Sequence, residues 1–413
     1  MPTIVQINTV INSGSTGRIA EEIGQAIIRE GWKSYIAFGF EDRDSQSQKI
    51  RIGSKFDVKR HILLTKYFDR HGLGSKAATR ELVDKLKAIQ PDIIHLHNIH
   101  GYYLNYPILF EYLKESQIPV VWTLHDCWPF TGHCPYFSFI GCERWKTGCY
   151  RCPQKKAYPK SKLFDRSTLN YLQKKACFSA ISENLYLVPV SDWLADIARL
   201  SFLKTAHIQR IHNGIDTTVF SPRPYQDRKQ VLASYQIQAD FIILGVANRW
   251  EQRKGLDDFI QLADRLPKEW KIVIVGLSER QRNRLLHPNI IGITRTENTN
   301  QLADLYSAAD VFVNPTWEDN YPTTNLEAQA CGTPVITYRT GGASESIIPG
   351  TGFIIPQGDL DKLLSGILSI KEKGKETFSQ TCRDHALQQF PKADRYAEYI
   401  QLYNNILQRK EER

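Results

Sequence analysis

The sequence predicts an α/β protein made of two facing Rossmann-like, doubly wound domains with a cleft between them. Three observations lead there. At 413 residues the chain exceeds what one typical core supports and suits two domains. Short apolar runs alternate with longer amphipathic ones, the rhythm of βαβ units and parallel sheets. That rhythm occurs twice in tandem, with a crossing marked by glycine and proline between the two series.

In the first series the strands are expected at Ile4–Val10, Ser34–Phe38, Ile93–His97, Val120–Leu124, Leu187–Val190 and Ile208–Ile211. In the second they are expected at Phe241–Ala247, Ile272–Val275, Ile290–Ile293, Val311–Asn314, Val335–Thr337 and Phe353–Ile355. Amphipathic stretches such as Arg18–Glu30, Ala78–Ile89, Leu256–Ala263 and Asn300–Ala308 read as helices between them. The crossing runs through Asn213-Gly214-Ile215-Asp216 and Ser221-Pro222-Arg223-Pro224. This divides the chain into a domain over 1–215 with a Cys-rich insertion at about 127–160, a second domain over 216–391, and a helix within 392–413. That last helix carries Tyr396, Tyr399, Ile400, Tyr403 and Ile406 on one face, able to pack on the second sheet or back on the first domain.

Composition is that of a water-soluble globular chain, with 42% hydrophobic and 23% charged residues. No apolar run approaches the roughly 18–20 residues that span a bilayer. The start, Met1-Pro2-Thr3-Ile4, enters a strand-like run with no basic leader, which predicts a cytoplasmic location. The formal charge of +9 suits anionic lipid head groups or phosphorylated ligands, and a solvated basic surface explains it equally well. Nucleic-acid modules are lacking, so no nucleic-acid partner is expected.

The most informative segment is Asn314-Pro315-Thr316-Trp317-Glu318-Asp319-Asn320-Tyr321-Pro322-Thr323-Thr324-Asn325-Leu326-Glu327. A buried strand ends at Asn314, and Pro322 suits the first position of the next helix. The backbone N–H groups of Thr323 and Thr324 then become available to a diphosphate. Glu327, just over a turn later, can accept two hydrogen bonds from the cis-diol of a ribose. Asp319 can accept from sugar hydroxyls. For an isolated pair of acids an exposed acidic loop is the better explanation, but other elements accompany this pair. Arg249 and Lys254 follow the first strand of the second series, on the edge where open α/β sheets bind ligands, and both can neutralise a leaving diphosphate. Gly341-Gly342 after a strand allows close backbone approach. In the first series, Gly14 and Gly17 sit in a strand-to-helix loop that lacks the dinucleotide spacing, and His125-Asp126 ends a strand.

These elements resemble the retaining glycosyltransferases of family 4, which have the GT-B architecture. The resemblance runs through Val188–Leu194, His212–Asp216, Arg249 with Lys254-Gly255, Glu327-Ala328 with Cys331–Val335, and Gly341-Gly342 with Glu345. It implies that Glu327 holds the ribose, Arg249 and Lys254 the diphosphate, and the turn Asp319, Asn320, Tyr321, Thr323 and Thr324 the sugar and phosphates. It implies a glycine loop at Gly14 and Gly17 beside the donor, and a sugar contact for His125. The family places two glutamates with seven residues between them. Counted back from Glu327, that spacing lands on Asp319 and leaves Glu318 a bystander.

The expected reaction moves a hexose from a nucleotide-diphosphate sugar to a glycan or lipid-linked glycan, with retention and with no cofactor for the chemistry. The resemblance is closest to builders of surface polysaccharides of the colanic-acid type, at the inner membrane face, where a peripheral contact with anionic membrane is plausible. A sugar-nucleotide epimerase, a glycan phosphorylase and a non-catalytic nucleotide-sugar binder are the alternatives. Separately, Cys134, Cys142, Cys149 and Cys152 have the spacing C-x7-C-x6-C-x2-C, which suits a structural tetrahedral zinc site as well as free thiols; disulfides are disfavoured in a reducing cytosol. Cys127, Cys177, Cys331 and Cys382 read as single buried or partly buried thiols.

Overall fold

The structure, a computed structural model, describes residues 1–224 and 227–412, with Glu411 described by its backbone alone. The chain divides into two compact units, Met1–His212 with Tyr396–Arg413, and Asn213–Arg395.

The first unit holds a seven-stranded sheet: β1 (Thr3–Val10), β2 (Lys33–Phe40), β3 (Gln48–Arg51), β4 (Ile93–Leu96), β5 (Val120–Leu124), β6 (Leu185–Pro189) and β7 (His207–Ile208). The spatial order is β3-β2-β1-β4-β5-β6-β7, and every pairing is parallel. Central strands of such a sheet are covered on both faces and are apolar with little alternation. Accordingly Ile4, Val5 and Ile7 are all buried, as are Ile93, Ile94 and Leu96. The strand expected at Ile208–Ile211 is paired only over His207–Ile208, although the N–H of Ile211 still donates to the carbonyl of Pro189 at 3.2 Å. β3 was not expected. Its sequence, Gln-Lys-Ile-Arg, buries only Ile50 on an edge, too little apolar signal to read as a strand.

Helix Gly14–Arg29 lays Ile19, Ile23 and Ile27 on the sheet. On the same core lie Tyr396, Tyr399, Ile400, Tyr403 and Ile406 of the last helix, Lys392–Glu411. That helix therefore fills a place in the first unit from the far end of the chain.

The second unit holds a six-stranded parallel sheet: β8 (Phe241–Val246), β9 (Trp270–Val275), β10 (Ile290–Ile293), β11 (Val311–Asn314), β12 (Val335–Tyr338) and β13 (Gly352–Ile355), in the order β10-β9-β8-β11-β12-β13. Its core centres on Ile243, Ile272, Ile274, Val311, Val313 and Ile336, all buried. The order reverses between β8 and β11, so the connections after these two strands diverge and leave a crevice at their carboxyl ends. In the first unit the same reversal falls between β1 and β4.

The segments that enter and leave the second unit are bonded to each other. The N–H of Ile215 donates to Phe390 and that of Lys392 to Ile215, at 2.8 and 2.9 Å. Among the described residues no helix is long and apolar enough to cross a membrane.

Candidate functional site

At the crevice of the second unit three loops are bonded together. After β8, Trp250 is buried and donates its indole N–H to the carbonyl of Val275 at 2.9 Å, anchoring the loop that continues to Gly255. Gly255 has φ +74°, and a Cβ there would stand 2.0 Å from the carbonyl oxygen of Pro315, beyond β11. The next residues confirm the join: Trp317 N–H donates to Arg253 at 2.7 Å, and the Arg253 guanidinium donates to the carbonyl of Glu318 at 2.9 Å. The third loop, after β12, is seated equally closely. Gly341 has φ +51°, with a hypothetical Cβ 2.1 Å from the carbonyl oxygen of Asp319, and Gly342 N–H donates to that oxygen at 3.1 Å. Both glycines are required by left-handed backbone and by this close approach.

The join is also an ion pair. The ammonium of Lys254 bonds the carboxylate of Asp319, and both side chains are largely buried. Burial pushes Lys254 down from its ordinary value, with Asp319 opposing the shift. Burial works to raise Asp319, but the cations of Lys254 and Arg253 outweigh it and hold the carboxyl below the usual range. The two residues expected to meet a sugar and a diphosphate separately thus meet each other. Arg249 differs: it is exposed, and among the described residues no carboxylate pairs with it. Glu318, read as a bystander on the loop, is fully buried, a position its sequence neighbours did not suggest.

Helix Thr323–Ala330 begins one residue later than expected. Pro322 occupies the N-cap, with φ −69° and ψ 115°, rather than the first helical position. Among the described residues nothing accepts from the N–H of Thr323 or Thr324, so both remain donors at the positive end of the helix. Asn320 and Tyr321 just before it are buried. One oxygen of Glu327 accepts from the hydroxyl of buried Tyr306 at 2.9 Å. Tyr306 is pushed well above its ordinary value by burial and by the neighbouring Glu327 charge, so it is a fixed donor. The helix is held to β11 by Asn325, whose side chain accepts from Asn314 and donates to the carbonyl of Ala343, at 2.8 and 2.9 Å.

In the first unit, helix Gly14–Arg29 starts at the predicted glycine loop. A Cβ on Gly17 would lie 2.9 Å from Val10, so glycine there lets the helix approach the end of β1; Gly14 has φ +61° with open space around it. His125, at the end of β5, is half-buried, and its Nε2 lies 3.2 Å from Nδ1 of buried His97. His97 Nε2 in turn faces Oε1 of Gln6 at 3.0 Å, while the Gln6 amide donates to Ala20. The Gln6 oxygen can only accept, so His97 donates from Nε2 and accepts at Nδ1; His125 therefore donates from Nε2 and presents Nδ1 as its acceptor nitrogen. Burial lowers His125 to about 4, against the pull of Asp126, so it is neutral at pH 7. Asp126 bonds His100 Nε2 at 2.8 Å and accepts from the N–H of Trp128 at 2.9 Å.

Cys134, Cys142, Cys149 and Cys152 line one small cavity of the insertion. Cys127, Cys331 and Cys382 are buried, and Cys177 is half-buried.

Arg253, Tyr306, Asn325 and His97 were not singled out in the sequence. His95 and His97 share one face of an otherwise apolar run, as do Gln6 and Asn8 of β1, and this spacing of two was the available signal. Tyr306 and Arg253 left none, because their partners lie 21 and 65 residues away.

Comparison with known proteins gives two family matches. Residues 16–219 match the model described as Glycosyltransferase Family 4, and residues 227–385 the model described as Glycosyl transferases group 1. The Escherichia coli K12 glycosyl transferase WcaC, named for colanic acid biosynthesis, is 23% identical over 98% of this chain and 100% of its own. Sucrose-phosphate synthase from Thermosynechococcus elongatus has a similar fold, with TM-score 0.73, 19% identity and coverage of 98% and 99% of the two chains. So does Anabaena HepE in complex with UDP-glucose, at TM-score 0.66, 14% identity and coverage of 98% and 99%.

Proposed function

We propose that this chain, which belongs to the GT-B glycosyltransferases, moves a hexose from a nucleoside-diphosphate sugar to a hydroxyl of a glycan or lipid-linked glycan, with retention of configuration. The observation that carries the reading is the convergence of three loops at the reversal point of the second sheet, locked by Gly255 against Pro315 and Gly341 against Asp319. Such a crevice suits a nucleotide. Glu327, with one oxygen steadied by Tyr306, accepts from the ribose diol. The N–H groups of Thr323 and Thr324 and the cations of Arg249 and Lys254 receive the diphosphate, and Asn320 and Tyr321 border it. Asp319, oriented by Lys254, accepts from sugar hydroxyls; in the first unit, neutral His125 is assigned a sugar contact of its own.

In the reaction the bond from the anomeric carbon to the diphosphate oxygen breaks while the acceptor oxygen bonds on the same face. The acceptor proton passes to the departing diphosphate, whose charge Arg249 and Lys254 stabilise. Anabaena HepE is solved with UDP, with UDP and glucose, and with UDP-glucose, and WcaC is named for colanic acid; both support a nucleotide-sugar donor and a surface polysaccharide product.

A peripheral contact with anionic membrane is part of the proposal. In the first unit, helix Lys55–Phe68 exposes Phe56 and Leu63, one heptad apart, and exposed Phe68 stacks on exposed Phe164 at 5.7 Å. Lys59, Lys66 and Lys162 accompany them, a mixture that suits an interfacial anchor. Co-sedimentation with anionic vesicles at low salt tests this part, and no binding there removes it.

The main test incubates the protein with UDP-, GDP- and ADP-sugars, with and without glycan acceptors. The expected result is acceptor-dependent product whose anomeric configuration by NMR matches the donor. Conversion of the nucleotide-sugar without acceptor, or an inverted product, overturns the proposal.

A further inference from the structure

We infer that Cys134, Cys142, Cys149 and Cys152 hold one structural zinc ion as a tetrathiolate, and that this ion fixes the segment that follows β5. The inference rests on the first unit alone and is independent of the reaction.

The four thiols line a single cavity of about 10 Å³, the scale of one small occupant. Cys134 is buried, and Cys142, Cys149 and Cys152 are half-buried around it. Cys149 Sγ accepts from the N–H of Gly132 at 3.1 Å, the kind of backbone contact that steadies a thiolate ligand. No three of the four sulfurs lie within 4.8 Å of one another among the described residues, so zinc would draw them together into a closed tetrahedron with no open position, and the role would be structural.

The surroundings supply a second, independent reason. Lys174 is 1% exposed, and its ammonium donates to the carbonyls of Trp128 and Thr131 at 2.7 and 3.0 Å. Among the described residues no carboxylate forms an ion pair with it, although a buried cation demands a counter-charge. A zinc tetrathiolate carries net negative charge and supplies what Lys174 lacks.

The segment also has little else to hold it. Between β5 and helix Ser167–Ser179 its regular structure is three single-turn helices, Trp128–Phe130, Ser138–Ile140 and Arg144–Lys146. Such a stretch is a place for a staple. What the staple secures is specific. The same segment carries Asp126 and Tyr158, which bracket His100 at 2.8 and 3.2 Å.

Elemental analysis of the full chain, purified without chelator, tests the inference. About one zinc per chain is expected, falling to a small fraction in Cys142→Ser and Cys149→Ser. Cobalt(II) added to the chelator-treated protein should give the intense visible bands of a tetrahedral thiolate site. Absence of both zinc and that spectrum in folded wild-type protein overturns the inference, whatever the fate of the variants. So does zinc retained at full stoichiometry in both variants, or a disulfide among the four cysteines in protein isolated under reducing conditions.

Discussion

Beside β4 and β5 of the first unit, His95 and His97 lie buried and His125 half-buried, as neutral rings bonded to Tyr403, Gln6 and one another. Beyond β8 and β11 of the second unit, Lys254 and Asp319 lie largely buried as an ion pair. The sheets are alike, yet the polar groups at their carboxyl ends are stabilised in opposite ways. A neutral imidazole escapes the cost of desolvating a charge and needs only hydrogen-bond partners, but it must stay unprotonated. An ion pair tolerates changes of pH near neutrality but depends on both partners being present. The first unit should therefore be sensitive to acid, and the second to single substitutions.

The largest expected effect breaks the ion pair. Lys254→Ala leaves Asp319 charged and unpaired and should cost about 3–5 kcal/mol of stability, with loss of transfer. The double variant Lys254→Met/Asp319→Leu should regain most of the stability in thermal unfolding and none of the activity. Recovery of activity would mean the pair is structural only.

Acid is the corresponding stress for the first unit. His61 and His125 are lowered to about 4 and His95 to about 3 by burial, from an ordinary value of 6.5. A lowered histidine binds its proton in the unfolded chain first, so stability is complete above about pH 6.5 and is lost as pH falls toward 4. Each such residue contributes on the order of 3 kcal/mol over that interval. Chemical denaturation at pH 7.5 and 5.0 should show the first unit weakening well before the second, and parallel loss in both would refute the contrast.

A smaller effect is expected at Tyr306→Phe, which removes the hydrogen bond to Glu327. A loss of about 1–2 kcal/mol in donor binding should appear mainly in KM. Smallest of all is Tyr403→Phe, which deprives His95 of one partner, at about 1 kcal/mol. It should move the acid midpoint of the first unit and leave donor binding unchanged.

Both sheets were legible in the sequence because buried parallel strands such as Val120–Leu124 and Val311–Asn314 are short apolar runs; each was located to the residue, as was the half-buried edge strand Ile290–Ile293. The face of the last helix was legible through its period of tyrosines and isoleucines. β3 was not, since an edge strand needs little apolar surface. At the site, the spacing to Glu327 singled out Asp319, but pairing of Lys254 with Asp319 across 65 residues has no local signal. The histidine relay was equally hidden, because its order depends on which strands lie side by side. Pro322 was misplaced by one residue because its extended ψ, which makes it a cap, is decided by the turn before it.

The central claim is that the crevice of the second unit binds the donor through its phosphates. Calorimetric titration of UDP, GDP and ADP into wild type, Arg249→Ala and Lys87→Ala tests it most directly, since Arg249 and Lys87 are exposed and their loss should not disturb folding. At least one nucleotide should bind, about tenfold or more weakly to Arg249→Ala and unchanged to Lys87→Ala, as expected for loss of a charge-assisted contact. Binding of none of the three, or equal binding by wild type and Arg249→Ala, would contradict it.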